Sequence, residues 1–143
     1  MLGLDDAQHE ETSPDATELV ISRLACSLVG QQQRVRLVPG TRAQQAYGSE
    51  TAIEAFRCSY GLNPAYRTRL AGGPLVVSGL GTEGEVRIVE LSGHRFFLAT
   101  LYVPQLSSSS EAPHPLLRAY LQAAVAFRLA REQDAAKARR VEQ

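Results

Sequence analysis

The sequence has no excess of charge of either sign: Lys and Arg number 15, and Asp and Glu number 15, among 143 residues. A chain with balanced charge has no electrostatic reason to seek nucleic acid or an anionic membrane. No apolar run approaches the roughly 20 residues needed to span a bilayer. The opening stretch MLGLDDAQHEE turns acidic at once, so it lacks the basic and apolar regions of a secretory signal. Cysteine occurs only at Cys26 and Cys58, without metal-type spacing, and the two read as reduced thiols of a cytoplasmic protein. No G-x-x-x-x-G-K-S/T stretch occurs, which excludes a phosphate loop of that kind. What is there suffices for one domain with a core: hydrophobic residues make up 44% of the chain and charged residues 21%.

Periodicity divides the chain. MLGLDDAQHEETSPDAT is polar and turn-rich, an entering loop. ELVISRLA places a strand core at Leu19 to Ile21. RVRLVPG alternates, with Arg34 and Arg36 out and Val35 and Leu37 in, until Pro39-Gly40 ends the strand. TRAQQAYG predicts two helical turns with Thr41 as N-cap and Gly48 as stop. TAIEAFRCSYGLN is β-rich, with Ile53, Phe56, Cys58 and Tyr60 as strand residues. PAYRTRLAGG reads as a helix opened by proline and closed by glycine. PLVVSGLG and EVRIVELSG form a hairpin around Gly84, and HRFFLATLYV adds a third strand.

After the flexible SSSSEA loop, PHPLLRAYLQAAVAFRLAREQ predicts a long helix. Its residues Leu117, Tyr120, Leu121, Ala124, Val125 and Leu129 share one face. DAAKARRVEQ is charged and expected to fray, so residues 1–130 are read as the domain and 131–143 as a tail. The mixture of strands and helices suggests an α/β or α+β architecture. It is a layer short, because the long helix and the strand before it want a sheet to cover. The apolar strand FFLATLYVPQL also poses a question. It runs toward a functional edge, yet Val103, Pro104 and Gln105 at its end carry no ionisable group.

Five segments, in order, carry a resemblance. LGLDDAQHEE is similar to the stretch after the nucleophile turn of class I glutamine amidotransferase domains. VRLVPGTRAQQAYG is similar to mRLG…pgt.a…YG, and RCSYGLNPAYR to RHRYEVNNEYR. LVVSGLGTEGEVRIVELSGHRFFLATLYVPQ resembles SG…DG.VE..EL..HPFFVG.QFHPE, and APHPLLRAYLQAA resembles PHPLF..F..AA. Together the segments resemble the C-terminal half of the amidotransferase domain of CTP synthase, over most of the chain from Leu2 to about Val125. The finer likeness is to small stand-alone proteins related to this region, some of them thought to carry selenocysteine. The resemblance implies an α/β fold: a partial, doubly wound, flavodoxin-like domain with an antiparallel hairpin region and a long C-terminal helix. It implies a family role in pyrimidine nucleotide biosynthesis and no cofactor.

In the family a Cys-His-Glu triad releases ammonia from glutamine, the cysteine lying in a Gly-x-Cys-x-Gly elbow. The family's His-Pro-Glu falls on Val103-Pro104-Gln105. Valine carries no proton, and Gln105 keeps the shape of a glutamate without its charge. No Gly-x-Cys-x-Gly occurs in these residues. The resemblance therefore implies a scaffold inactive by itself, expected to meet an upstream half-domain or to self-associate through an open sheet edge. Some glutamine-handling positions are kept: Glu11, Tyr60 and Asn63 match family residues, while Ser59 stands where an arginine is expected and Arg57 lies two residues away. These four, Glu11, Arg57, Tyr60 and Asn63, are the candidate ligands of glutamine or a related amino acid. A solvated loop carboxylate at Glu11 and core packing at Tyr60 are the plain alternatives.

Other readings stay open. The chain could be a non-enzymatic amino-acid-binding or protein-interaction module, or a thiol enzyme using Cys58, which would need a base. The triplet His9-Glu10-Glu11 suits metal poorly, since adjacent residues rarely chelate together. His94 and His114 match family positions that suit turn and cap roles.

Overall fold

The computed structural model describes residues 4–141. Among the described residues, eight strands form two sheets. β1 (Gln8–His9), β2 (Leu19–Arg23) and β5 (Tyr60–Leu62) lie in the order β1-β2-β5, with β1 and β2 parallel. The larger sheet runs β4 (Thr51–Ala55), β3 (Gln32–Leu37), β6 (Leu75–Leu80), β7 (Val86–Leu91), β8 (Leu98–Thr100), and every neighbour pair in it is antiparallel. Mixed α/β architecture with a long C-terminal helix is as expected, and the sheets of the described residues are mainly antiparallel.

The alternation in β3 holds: Val35 and Leu37 are buried while Arg34 and Arg36 are exposed. The core gathers these two with Leu28, Ala43, Phe56, Ile88, Tyr102 and Leu116. Helix α1 (Arg42–Tyr47) is capped as expected, since Gln44 N–H donates to Thr41 Oγ1 at 3.3 Å and Gly48 takes the left-handed conformation at φ 67°. The carboxylate of Glu90, on β7, accepts the first helical amides as well, from Arg42 at 3.1 Å and Ala43 at 3.2 Å. Gly79 is needed by contact: a Cβ there would lie 2.4 Å from Ile88 Cγ1, at an irregularity in the β6–β7 ladder.

Three expectations change. The run 51–63 is not one strand. After Ala55 its backbone turns to the 24–31 loop: Phe56 N–H donates to Gln31 O, Gly30 N–H to Phe56 O, and Leu28 N–H to Cys58 O. Residues 56–59 therefore carry the chain from the large sheet to the small one. The third strand is also shorter than HRFFLATLYV, covering Leu98–Thr100 alone. Finally, helix α3 runs Pro115–Val141, so helical structure continues past residue 130. Its composition, rich in Ala, Arg, Glu and Gln, favours helix even without packing, and the Arg128–Glu132 pair at 3.5 Å adds an i,i+4 contact. The short helical segment 64–71 divides into a 3-10 turn, Pro64–Tyr66, and α2, Arg67–Ala71.

α3 docks by its first turn, where His114 and Leu116 are buried. Further along, Tyr120, Leu121, Val125 and Leu129 are 46–61% exposed. The face that the periodicity marked as apolar is therefore largely uncovered. No helix among the described residues is long and apolar enough to cross a membrane.

Candidate functional site

The small sheet and the crossing segment shape a cleft of about 420 Å³. Glu11, Arg57 and Tyr60, three of the four candidate ligands, line it, together with His9, Cys58 and Ser59. Tyr60 is fixed from two sides. The His9 ring centroid lies 4.9 Å from that of Tyr60, and the Arg23 guanidinium carbon lies 5.7 Å from it. Arg23 Nη2 also donates to the Tyr60 hydroxyl at 3.4 Å, which raises the arginine's pKa. Glu10 completes the frame by accepting the Arg23 amide. Arg57 is exposed on the crossing segment and Glu11 just beyond β1. A cation and a carboxylate on one rim complement the two ends of an amino-acid zwitterion.

The fourth candidate is placed elsewhere. Asn63 does not line the cleft, and both ends of its amide serve the backbone. Oδ1 accepts from Ala65 N–H at 3.1 Å, capping the 3-10 turn, and Nδ2 donates to Leu19 O at 2.8 Å. Asn63 ties that turn to β2, so its match to the family motif reports architecture.

The contacts around Cys58 bear on its reactivity. The Cys58 thiol donates to Tyr60 O at 2.6 Å. His9 is the nearest imidazole in the lining, but its Nδ1 accepts the Glu11 amide at 3.1 Å. The neutral ring then carries its hydrogen on Nε2 and has no lone pair left to take a proton from sulfur. This arrangement disfavours the thiol-enzyme reading. The strand question has its answer nearby. Leu101 lines the cleft; Val103 and Gln105 do not appear in its lining among the described residues. Val103 N–H donates to Ala55 O at 3.3 Å, and Pro104 opens a 3-10 turn that leaves Gln105 exposed. The turn is built without an acid or base on it.

A second polar cluster was not legible in the sequence. Glu54, the buried residue of β4, receives the Tyr47 hydroxyl and lies 3.0 Å from His114 Nε2. Tyr47 and Tyr102 hydroxyls are 2.9 Å apart. Burial above all holds both tyrosine pKa values far above the usual range. The neighbouring Tyr102 adds most for Tyr47; at Tyr102 the Tyr47 hydrogen bond opposes the rise. The cluster joins α1, β4, the turn after β8 and the start of α3, and Tyr47, Glu54, Tyr102 and His114 are not among the residues lining the cleft. His94 and His114 do serve turns: their Nδ1 atoms accept the amides of Phe96 at 3.3 Å and Leu116 at 3.2 Å.

Comparison with known proteins bears on this geometry. No protein-family model matches the chain. It is 39% identical over 133 residues to the CTP synthase of Carboxydothermus hydrogenoformans and 40% identical over 133 residues to that of Geobacter sulfurreducens. Each match covers 86% of this chain and 25% of the relative. The chain thus spans about a quarter of the length of the curated relatives it matches. Among solved structures it is similar to the glutaminase domain of the Trypanosoma brucei CTP synthase with bound acivicin. That match has a TM-score of 0.80 and 25% identity, and covers 87% of this chain and 53% of that one. Sequence and fold agree on the same segment: the chain belongs to the glutaminase-domain family of the CTP synthases and corresponds to the C-terminal half of that domain.

Proposed function

We propose that this chain is a pseudo-amidotransferase: it keeps the amino-acid-binding wall of a glutaminase domain and does not hydrolyse glutamine by itself. The observation that supports this reading most is the convergence of Glu11, Arg57 and Tyr60 on one cleft, while the positions of the family's His and Glu hold Val103 and Gln105. Arg57 would meet the ligand carboxylate and Glu11 its ammonium, with Tyr60 as the packed floor between them. Glutamine or a closely related amino acid fits that pattern. Two free thiols, Cys26 and Cys58, suit a reducing compartment such as the cytoplasm.

Isothermal titration of the whole chain with glutamine and with glutamate tests the binding. A saturable heat for either ligand is expected, and no heat at millimolar ligand would contradict the reading.

A second reading concerns partners and rests on α3. The exposed row Tyr120, Leu121, Val125 and Leu129 is an apolar face of the kind that marks an interaction surface. The solved glutaminase domain is about twice the length covered here. We assign this face to a second polypeptide surface, either the complementary half of such a domain or another copy of this chain.

A further inference from the structure

Arg87, on β7, is a buried cation with incomplete hydrogen bonding. Its side chain is 2% exposed. Nη2 donates to Glu85 Oε1 at 2.9 Å, but Nε and Nη1 are buried and meet no acceptor among the described residues. The guanidinium carbon lies 5.2 Å from the Phe56 ring centroid. An aromatic ring offers no conventional acceptor, so Nε and Nη1 stay without a hydrogen-bond partner. Donors taken out of water without acceptors cost stability, most of all on a charged group.

A cavity of about 500 Å³ lies against Arg87. Arg23 and Arg67 also line it, so three arginines face two glutamates, Glu83 and Glu85. Arg67 Nη1 lies 3.7 Å from where Gly84 would carry a Cβ, which sets this second guanidinium over the hairpin turn. The cavity shares no lining residue with the amino-acid cleft.

We propose that this cavity is a second ligand site, taking a small molecule with an oxyanion, carboxylate or phosphate, that binds Arg87 by displacing Glu85. Glu85 is the internal stand-in for that anion. Its side chain is 38% exposed and can turn outward, releasing the Glu83 amide that its Oε2 accepts at 3.1 Å. The incoming oxyanion takes Nη2 and supplies an acceptor to a donor that now has none. Arg67 at the rim balances its remaining charge. Gly81 leaves the space for the exchange: a Cβ there would lie 2.4 Å from Glu85 Oε2 and 3.0 Å from Arg87 Nε.

The test is a nuclear magnetic resonance titration of the whole chain at constant ionic strength, following Arg87 Nε–H and the Gly81 and Gly84 amides. One arm uses inorganic phosphate and the other citrate. Saturable shifts in the phosphate arm alone assign the site to phosphoryl ligands; in the citrate arm alone, to carboxylates; in both, to either. Glu85→Gln removes the competing charge and should tighten binding about tenfold, while Arg67→Gln at the rim should weaken it several-fold without unfolding the chain. Shifts that grow without saturating in both arms, or a midpoint unchanged by both substitutions, would overturn the proposal.

Discussion

His114 Nε2 stands 3.0 Å from Glu54 Oε1 at a place where each side chain is 3% exposed. The other imidazole nitrogen accepts the Leu116 amide, so Nε2 carries the hydrogen and donates it to the carboxyl group. One residue thus caps α3 with one side of its ring and ties the helix to β4 with the other. The Tyr47 hydroxyl donates to the same carboxyl and stands 2.9 Å from that of Tyr102.

Removing the shared acceptor should therefore cost more than an average substitution. Glu54→Ala leaves His114 and Tyr47 without their partner in a closed site and is expected to destabilise the fold by about 3 kcal/mol. Glu54→Gln keeps an acceptor and should cost less. Urea unfolding followed by circular dichroism measures both.

The same cluster sets an alkaline limit. Tyr47 and Tyr102 have folded pKa values raised above the ordinary 10.0. A group with a raised folded pKa contributes stability that is complete below its unfolded pKa and lost as pH rises above it. Stability should hold up to about pH 10 and then fall as unfolding releases both protons. In a phenolate absorbance titration, Tyr47 and Tyr102 should ionise only with the unfolding transition.

The cleft and the cap separate by mutation. Arg57→Ala or Glu11→Gln should weaken amino-acid binding about tenfold, each removing one charge-assisted contact, with stability nearly unchanged. Asn63→Ala should do the reverse, lowering stability by about 1 kcal/mol through the lost cap while leaving affinity intact. Titration calorimetry and thermal unfolding on the same samples distinguish the two outcomes.

The exposed face of α3 predicts association. Light scattering should show a mass above that of one chain, falling to the monomer when Leu121 and Val125 are both replaced by Lys. A monomer at every concentration would leave that face without a partner of its own kind and favour a different polypeptide.

The fold was legible where side chains follow a local rule. The alternation of β3, the Thr41 and Gly48 caps and the hairpin at Gly84 all follow from short-range chemistry. Glu11, Arg57 and Tyr60, far apart in the chain, line one cleft. What was hidden is non-local. Nothing within 51–63 announces that residues 56–59 bond to the 24–31 loop. Asn63 looks the same in sequence whether its amide meets a ligand or the Leu19 carbonyl. Arg87 lies in the EVRIVELSG strand of the hairpin, and its burial, paired with Glu85 and beside Phe56, depends on residues brought together by the fold.

Ammonia release from glutamine by the purified chain tests the central claim most directly. With the Cys58 thiol donating to the Tyr60 carbonyl, His9 Nδ1 engaged by the Glu11 amide, and Val103 and Gln105 at the turn after β8, no ammonia should accumulate above the uncatalysed rate while glutamine still binds. Steady ammonia production by the intact chain, abolished by Cys58→Ser, would contradict the account.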